Sequence, residues 1–181
     1  LPLPHLINAL PAQVDVLYRT GLFASLVSIV CLGVSSWAAA RLVLRMTGSS
    51  LDAIAAVALL ASNPNLLYLH ATPMTEPLLL AAVMLSVLWV YEWVDADGEV
   101  DAVPRRLGIV LFAAAWTRYE AWPILVSVLV AAAYAIWRRT GSLRSTWPRV
   151  LRLGLWPATA LVIFLANSRI TVGSWFVTDG F

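Results

Sequence analysis

The chain of 181 residues is 61% hydrophobic and 12% charged, with a mean hydropathy of +0.82 and a formal net charge of +2. Soluble domains are about half apolar, so this composition excludes an ordinary water-soluble fold and points to an integral membrane protein. The positive charge is all arginine, with no lysine, and it punctuates the apolar runs instead of forming a basic face, which gives no nucleic-acid footprint.

"LPLPHLINALP" opens the chain with Pro2, Pro4, Pro11 and His5, and reads as an irregular segment leading to the first span. The chain has no initiator methionine and no signal-peptide pattern at its start, so Leu1 is expected to lie inside a longer protein. Gly21 to Met46 is the first candidate span, closing on Arg41 and Arg45. It contains Cys31, which has no partner for a disulfide and reads as a buried structural thiol. Leu51 to about Asn63 begins the second, which continues less regularly through Leu66 to Leu69. Glu76 to Val94 is the third, Arg106 to Trp116 a shorter, alanine-rich fourth, Ala121 to Trp137 the fifth, and Leu151 to about Ala166 the sixth. Runs of roughly 17 to 25 apolar residues cross a hydrocarbon core about 30 Å thick as helices. The expected fold is therefore all-α: a polytopic transmembrane helical bundle of about six transmembrane helices running up and down.

Cytoplasmic loops of membrane proteins carry an excess of arginine and lysine. With the loop after the first span in the cytoplasm, that side holds Arg41, Arg45, Arg105, Arg106, Arg138, Arg139, Arg144, Arg149 and Arg152, and the other side only Arg19, Arg118 and Arg169. His70 to Pro77, the Thr117 to Trp122 turn and the C-terminal tail then face the extracytoplasmic side. The acidic run Asp95, Asp97, Glu99 and Asp101 falls on the cytoplasmic side and reads as a solvated loop.

Two polar knots interrupt the apolar sequence on the arginine-poor side. In "SNPNLLYLHATPMTEP", Asn63 and Pro64 end the second helix. Thr75 then reads as an N-cap, with Glu76 in the first turn where the helix dipole favours a carboxylate, and Pro77 in an early position that tolerates it. Glu76 thus has two readings, a helix start and an outer-face acid. His70 likewise is either packing or a metal or acid–base group. The second knot, "TRYEAWP", places Arg118 and Glu120 two residues apart beside Tyr119 and Trp122. These charges could pair or snorkel. Alternatively, the guanidinium could grip a lipid-linked phosphate while the aromatics sit at headgroup depth. Near the C-terminus, "GSWFVTDGF" puts Asp179 beyond Trp175 and Phe176, which an aromatic belt explains. The sequence has no phosphate-binding glycine loop, dinucleotide fingerprint, cysteine pair or serine elbow.

Taken in order, "PLPH", "RTGL" leading into a long span, "NPNLLYLHATPMTEPLLL", "TRYEAW" and a tail with aromatics, glycine and aspartate resemble the membrane glycosyltransferases of the GT-C class. The likeness is to bacterial relatives of the dolichyl-phosphate-mannose protein mannosyltransferases and of the lipid A aminoarabinose transferase, and it runs over essentially the whole chain. It implies that residues 1 to 181 are part of one transmembrane glycosyltransferase domain with a GT-C-like core, whose first helix and first outer loop precede Leu1 and whose C-terminal part follows. It implies a multi-pass enzyme of the inner (plasma) membrane. The enzyme would take a sugar from a polyprenyl-phosphate-linked donor and transfer it to a hydroxyl of a protein, lipid or glycan acceptor on the extracytoplasmic face. The family's catalytic acid sits in that first outer loop, so the general base is expected upstream of Leu1 and this piece alone is expected to be inactive. What carries over is Glu76 as an outer-face acid and candidate catalytic residue, and Arg118 as a phosphate contact, with Tyr119, Glu120 and His70 as further substrate-binding candidates. Some relatives use a divalent metal held by outer-face Glu and His. His70 and Glu76 are the candidate ligands here, with Glu120 and His5 beside them, although their spacing fits no closed metal motif.

Two rival readings accompany this one. A transporter or lipid flippase would be expected to place charges and broken helices near mid-membrane, often in paired repeats, whereas this chain keeps its charges at a boundary and shows no repeat. A non-catalytic membrane subunit would tolerate neutral substitutions at Glu76 and Arg118.

Overall fold

The computed structural model describes residues 1–96 and 102–175. Asp97, Glu99, Asp101, Phe176 and Asp179 lie outside the described residues. Two short helices, α1 (Pro2–Ala9) and α2 (Asp15–Thr20), flank a 3-10 turn at Pro11–Gln13. The opening segment is therefore helical where an irregular one was expected. Pro2 sits at the start of α1, where the missing N–H costs nothing, and Pro11 opens the 3-10 turn in the same way. The remaining helices are α3 (Leu22–Thr47), α4 (Ser50–Ala61), α5 (Pro64–His70), α6 (Glu76–Asp95), α7 (Arg105–Ala115), α8 (Ala121–Thr140) and α9 (Leu143–Thr171).

Among the described residues α3, α6, α8 and α9 are long and apolar enough to cross a membrane, and α4 with α5 makes a fifth if the bent pair counts as one span. This corrects the expected six. The second segment bends by 70° between α4 and α5. Asn63 accepts hydrogen bonds from the amides of Asn65 and Leu66 and Pro64 opens α5, so the residues expected to end one helix also start the next. The fourth segment, α7, has 11 residues and a length of about 16 Å, half of a hydrocarbon core. Leu107, Leu111 and Ala114 on it are fully buried, so its hydrophobicity serves packing inside the bundle. The sixth segment runs longer than expected, 29 residues, because Pro148 and Pro157 are accommodated inside α9.

Helix α6 is the centre of the bundle, packing on α3, α7 and α8, while α9 closes over α7 and α8 and α4 lies on α3. Lipid tails are as apolar as leucine, so helices in a membrane associate through close packing, which favours small residues at the contacts. Ser28, Cys31, Ser35 and Ala38 make such a stripe along α3, and Ala81, Ala82 and Ser86 are the small buried residues of α6. Gly108 of α7 lies directly under the indole of Trp156 from α9. Outward positions such as Ile29, Val30, Leu155 and Val162 stay exposed and apolar, as a lipid-facing surface requires.

The helix order sorts the charges. At one end Glu92 near the end of α6 meets Arg41 and Arg45 of α3 and Arg106 of α7, and Arg139 of α8 donates to the Val94 carbonyl. At the other end lie the starts of α6 and α8 and the end of α7.

Candidate functional site

The arginine-poor end is built around the turn between α7 and α8. The Thr117 hydroxyl donates to the Ala114 carbonyl at 2.7 Å, and the Trp122 indole donates to Ala115 at 3.0 Å. Trp116 donates to Ala160 of α9 at 2.7 Å, and the Leu3 amide of α1 donates to the Trp116 carbonyl. Tyr119 packs edge-on against Trp122 and Phe164, with ring centroids 5.1 and 5.9 Å away. A turn fixed from these directions holds Arg118 against the first turn of α6.

Arg118 is the hub. Nη1 donates to Glu76 Oε1 at 2.9 Å and to the Thr75 hydroxyl at 2.8 Å, while Nε and Nη2 grip the two oxygens of Glu120 at 3.2 and 2.9 Å. Four of the five N–H groups of the guanidinium are thereby engaged, leaving one on Nη2. Its hydrogen bonding to the Glu120 carboxylate raises the arginine above its ordinary value, with the nearby Glu76 charge acting the same way against desolvation. The reciprocal bond holds the Glu120 carboxyl below its usual value. One cation facing two carboxylates leaves the trio formally anionic. Thr75 occupies the N-cap position of α6 without making the expected side-chain cap: its backbone is helical (φ −91°, ψ −18°) where a capping residue is extended, and its hydroxyl accepts from Arg118.

Beside this trio lies a pocket of about 260 Å³ lined by His5, Thr75, Thr117, Arg118, Tyr119 and Glu120, among others. A larger apolar groove of about 510 Å³ sits at the opposite end of α6 and α8 and contains none of these polar groups. The smaller pocket is the candidate site, because polar chemistry converges only there among the sequence-predicted residues.

The structure thus brings together Glu76, Arg118, Glu120, Tyr119 and His5 but leaves His70 apart. His70 is buried, 2% exposed, with its Nδ1 donating to the Leu66 carbonyl at 2.7 Å and its Nε2 without a hydrogen-bond partner. It packs in the bundle instead of facing the pocket. Among the described residues no three His, Cys, Asp or Glu side chains are grouped to hold a metal ion, and Glu76 is committed to Arg118. The residues present do not fit the divalent-metal site expected of His70 and Glu76, and no chemical step is routed through one.

Sequence reasoning missed the cluster around Glu92. Its side chain is only 15% exposed and stands 3.2 Å from Arg106, 3.7 Å from Arg41 and 3.9 Å from Arg45, with Arg106 also lying over the Trp89 ring. The available signal was a lone carboxylate inside an apolar span, at the boundary where arginines of two other segments gather. Comparison with known protein families, with curated proteins and with solved structures finds no match.

Proposed function

We propose that the chain forms part of the membrane core of a glycosyltransferase that moves a sugar from a polyprenyl-phosphate donor to an acceptor hydroxyl at the extracytoplasmic face of the plasma membrane. The observation that carries this reading is the convergence of Thr75, Glu76, Arg118 and Glu120 beside a pocket at the arginine-poor end of the bundle. The positive-inside rule assigns that end to the outer face.

In this mechanism the acceptor hydroxyl attacks the anomeric carbon, its proton passes to a general base supplied from outside these residues, and the lipid phosphate leaves with the bonding electron pair. The leaving group gains negative charge, so a guanidinium held at the site lowers the barrier by electrostatic stabilisation. Arg118 reaches it by exchanging Glu120, the more exposed of its partners, for the phosphate, while Glu76 and Thr75 keep the side chain in place. A non-catalytic reading has its own support, because the arginine is nearly saturated by protein partners.

Binding of polyprenyl phosphate to the full-length protein separates the two. Glu120→Gln, which removes the competing carboxylate charge and frees at least one guanidinium N–H, is expected to tighten binding about two- to five-fold. Arg118→Ala is expected to weaken it. Unchanged affinity in both variants assigns the trio to structure alone.

A further inference from the structure

The groove between α6 and α8 at the arginine-rich end is unexplained by the reading above. It holds about 510 Å³, and its walls are valine and alanine from both helices, including Val87, Val90, Val128 and Ala131. From Val128 to Arg139 it follows α8 for about 16 Å, half the thickness of a hydrocarbon core and so the depth of one leaflet. Tyr91, Tyr134, Arg138, Arg139 and Asp95 line it as well. Tyr91 and Asp95 also line a polar pocket of about 310 Å³ together with Arg45, Glu92 and Arg106, so apolar slot and charged recess share a wall. Arg139 is tied to the Val94 carbonyl and Glu92 to three arginines, whereas Arg138 makes no ion pair among the described residues.

We infer that this groove binds one anionic glycerophospholipid from the leaflet at the arginine-rich end, with an acyl chain along α6 and α8 and the phosphate at Arg138. Basic recesses between membrane helices recognise phospholipid headgroups, and among the described residues the two arginines lining the groove outnumber its one carboxylate. The tyrosines sit where amphipathic rings prefer the headgroup boundary. The inference does not depend on the transferase reading.

The test is native mass spectrometry of the full-length protein released from nanodiscs of mixed phosphatidylglycerol and phosphatidylethanolamine. One retained phosphatidylglycerol per chain is expected. Ala131→Phe fills the slot from the α8 wall at an exposed position, and Val87→Phe does so from the α6 wall, so two independent variants guard against loss of fold in either. Filling the slot removes the close van der Waals contacts that hold a chain there in preference to bulk lipid, so each variant is expected to cut retention by about three-fold or more. Arg138→Glu is expected to abolish the preference for phosphatidylglycerol, a loss of at least about five-fold. Undiminished retention in both phenylalanine variants overturns the proposal. So does a groove covered by a second copy of the chain, seen as a disulfide-linked dimer of Tyr134→Cys, or equal binding of the two lipids by the unaltered protein.

Discussion

Gly108→Ala tests the packing of the bundle most sharply, because the added methyl falls on a rigid aromatic ring. A Cβ at Gly108 would overlap several atoms of the Trp156 indole, so either the ring or the whole of α9 must move away from α7. Overpacking a close contact costs about 1 to 3 kcal/mol, whereas replacing glycine by alanine in a helix gains about 1 kcal/mol from backbone entropy. The net expectation is a loss of up to about 2 kcal/mol, against a gain of about 1 kcal/mol where the added methyl meets nothing. Gly33→Ala is the control, since nothing lies within 4 Å of its Cβ position on the exposed side of α3, and only the helix gain applies. Gly154→Ala lies between, meeting Leu129 Cδ1 at an ordinary 3.6 Å. Reversible unfolding of the full-length protein in mixed detergent micelles should therefore rank the variants Gly33→Ala above Gly154→Ala above Gly108→Ala. Equal stability of the Gly33 and Gly108 variants would refute the α7–α9 contact.

Two further outcomes follow from the charge clusters. Glu92→Gln leaves Arg41, Arg45 and Arg106 crowded without their common anion, and should cost about 1 to 2 kcal/mol in the same unfolding assay, more than Arg45→Gln; the reverse order would contradict the clamp. Glu120 has a carboxyl held below its ordinary value of 4.5 by Arg118, so in the window beneath 4.5 the unfolded chain binds more protons and stability rises with pH. The melting-temperature difference between the unaltered protein and Glu120→Gln should be full above that ordinary value and shrink as pH falls through the lowered one. A difference independent of pH would remove the pair from the folded state.

The long helices were legible because hydropathy over a window of bilayer length is a strong signal, and α3, α6 and α8 lie close to where the apolar runs place them. The shorter segments were not, since an 11-residue apolar run reads alike whether it spans or packs inside, and only the total burial of Leu107 and Leu111 decides for α7. At the candidate site, spacing exposed the pairing of Arg118 with Glu120, two residues away. The bond from Arg118 to Glu76 joins residues 42 apart and comes from the way α6 packs on the α7–α8 turn, which no local pattern reports. For His70 the sequence left packing and a metal or acid–base role both open, and its burial, with Nδ1 bonded to the Leu66 carbonyl, matches the packing reading. Glu92 escaped notice because its three partners come from two other helices.

The most direct test of the account is sugar transfer by membrane vesicles carrying the full-length protein, supplied with radiolabelled polyprenyl-phosphate hexose and pentose donors. The account predicts label transfer to an endogenous acceptor when the outer face is exposed to donor, with Arg118→Ala inserted normally but slowed by about ten-fold or more, the loss expected of a charge-stabilising group. No transfer from any donor, or an Arg118→Ala variant as active as the unaltered protein, would contradict it.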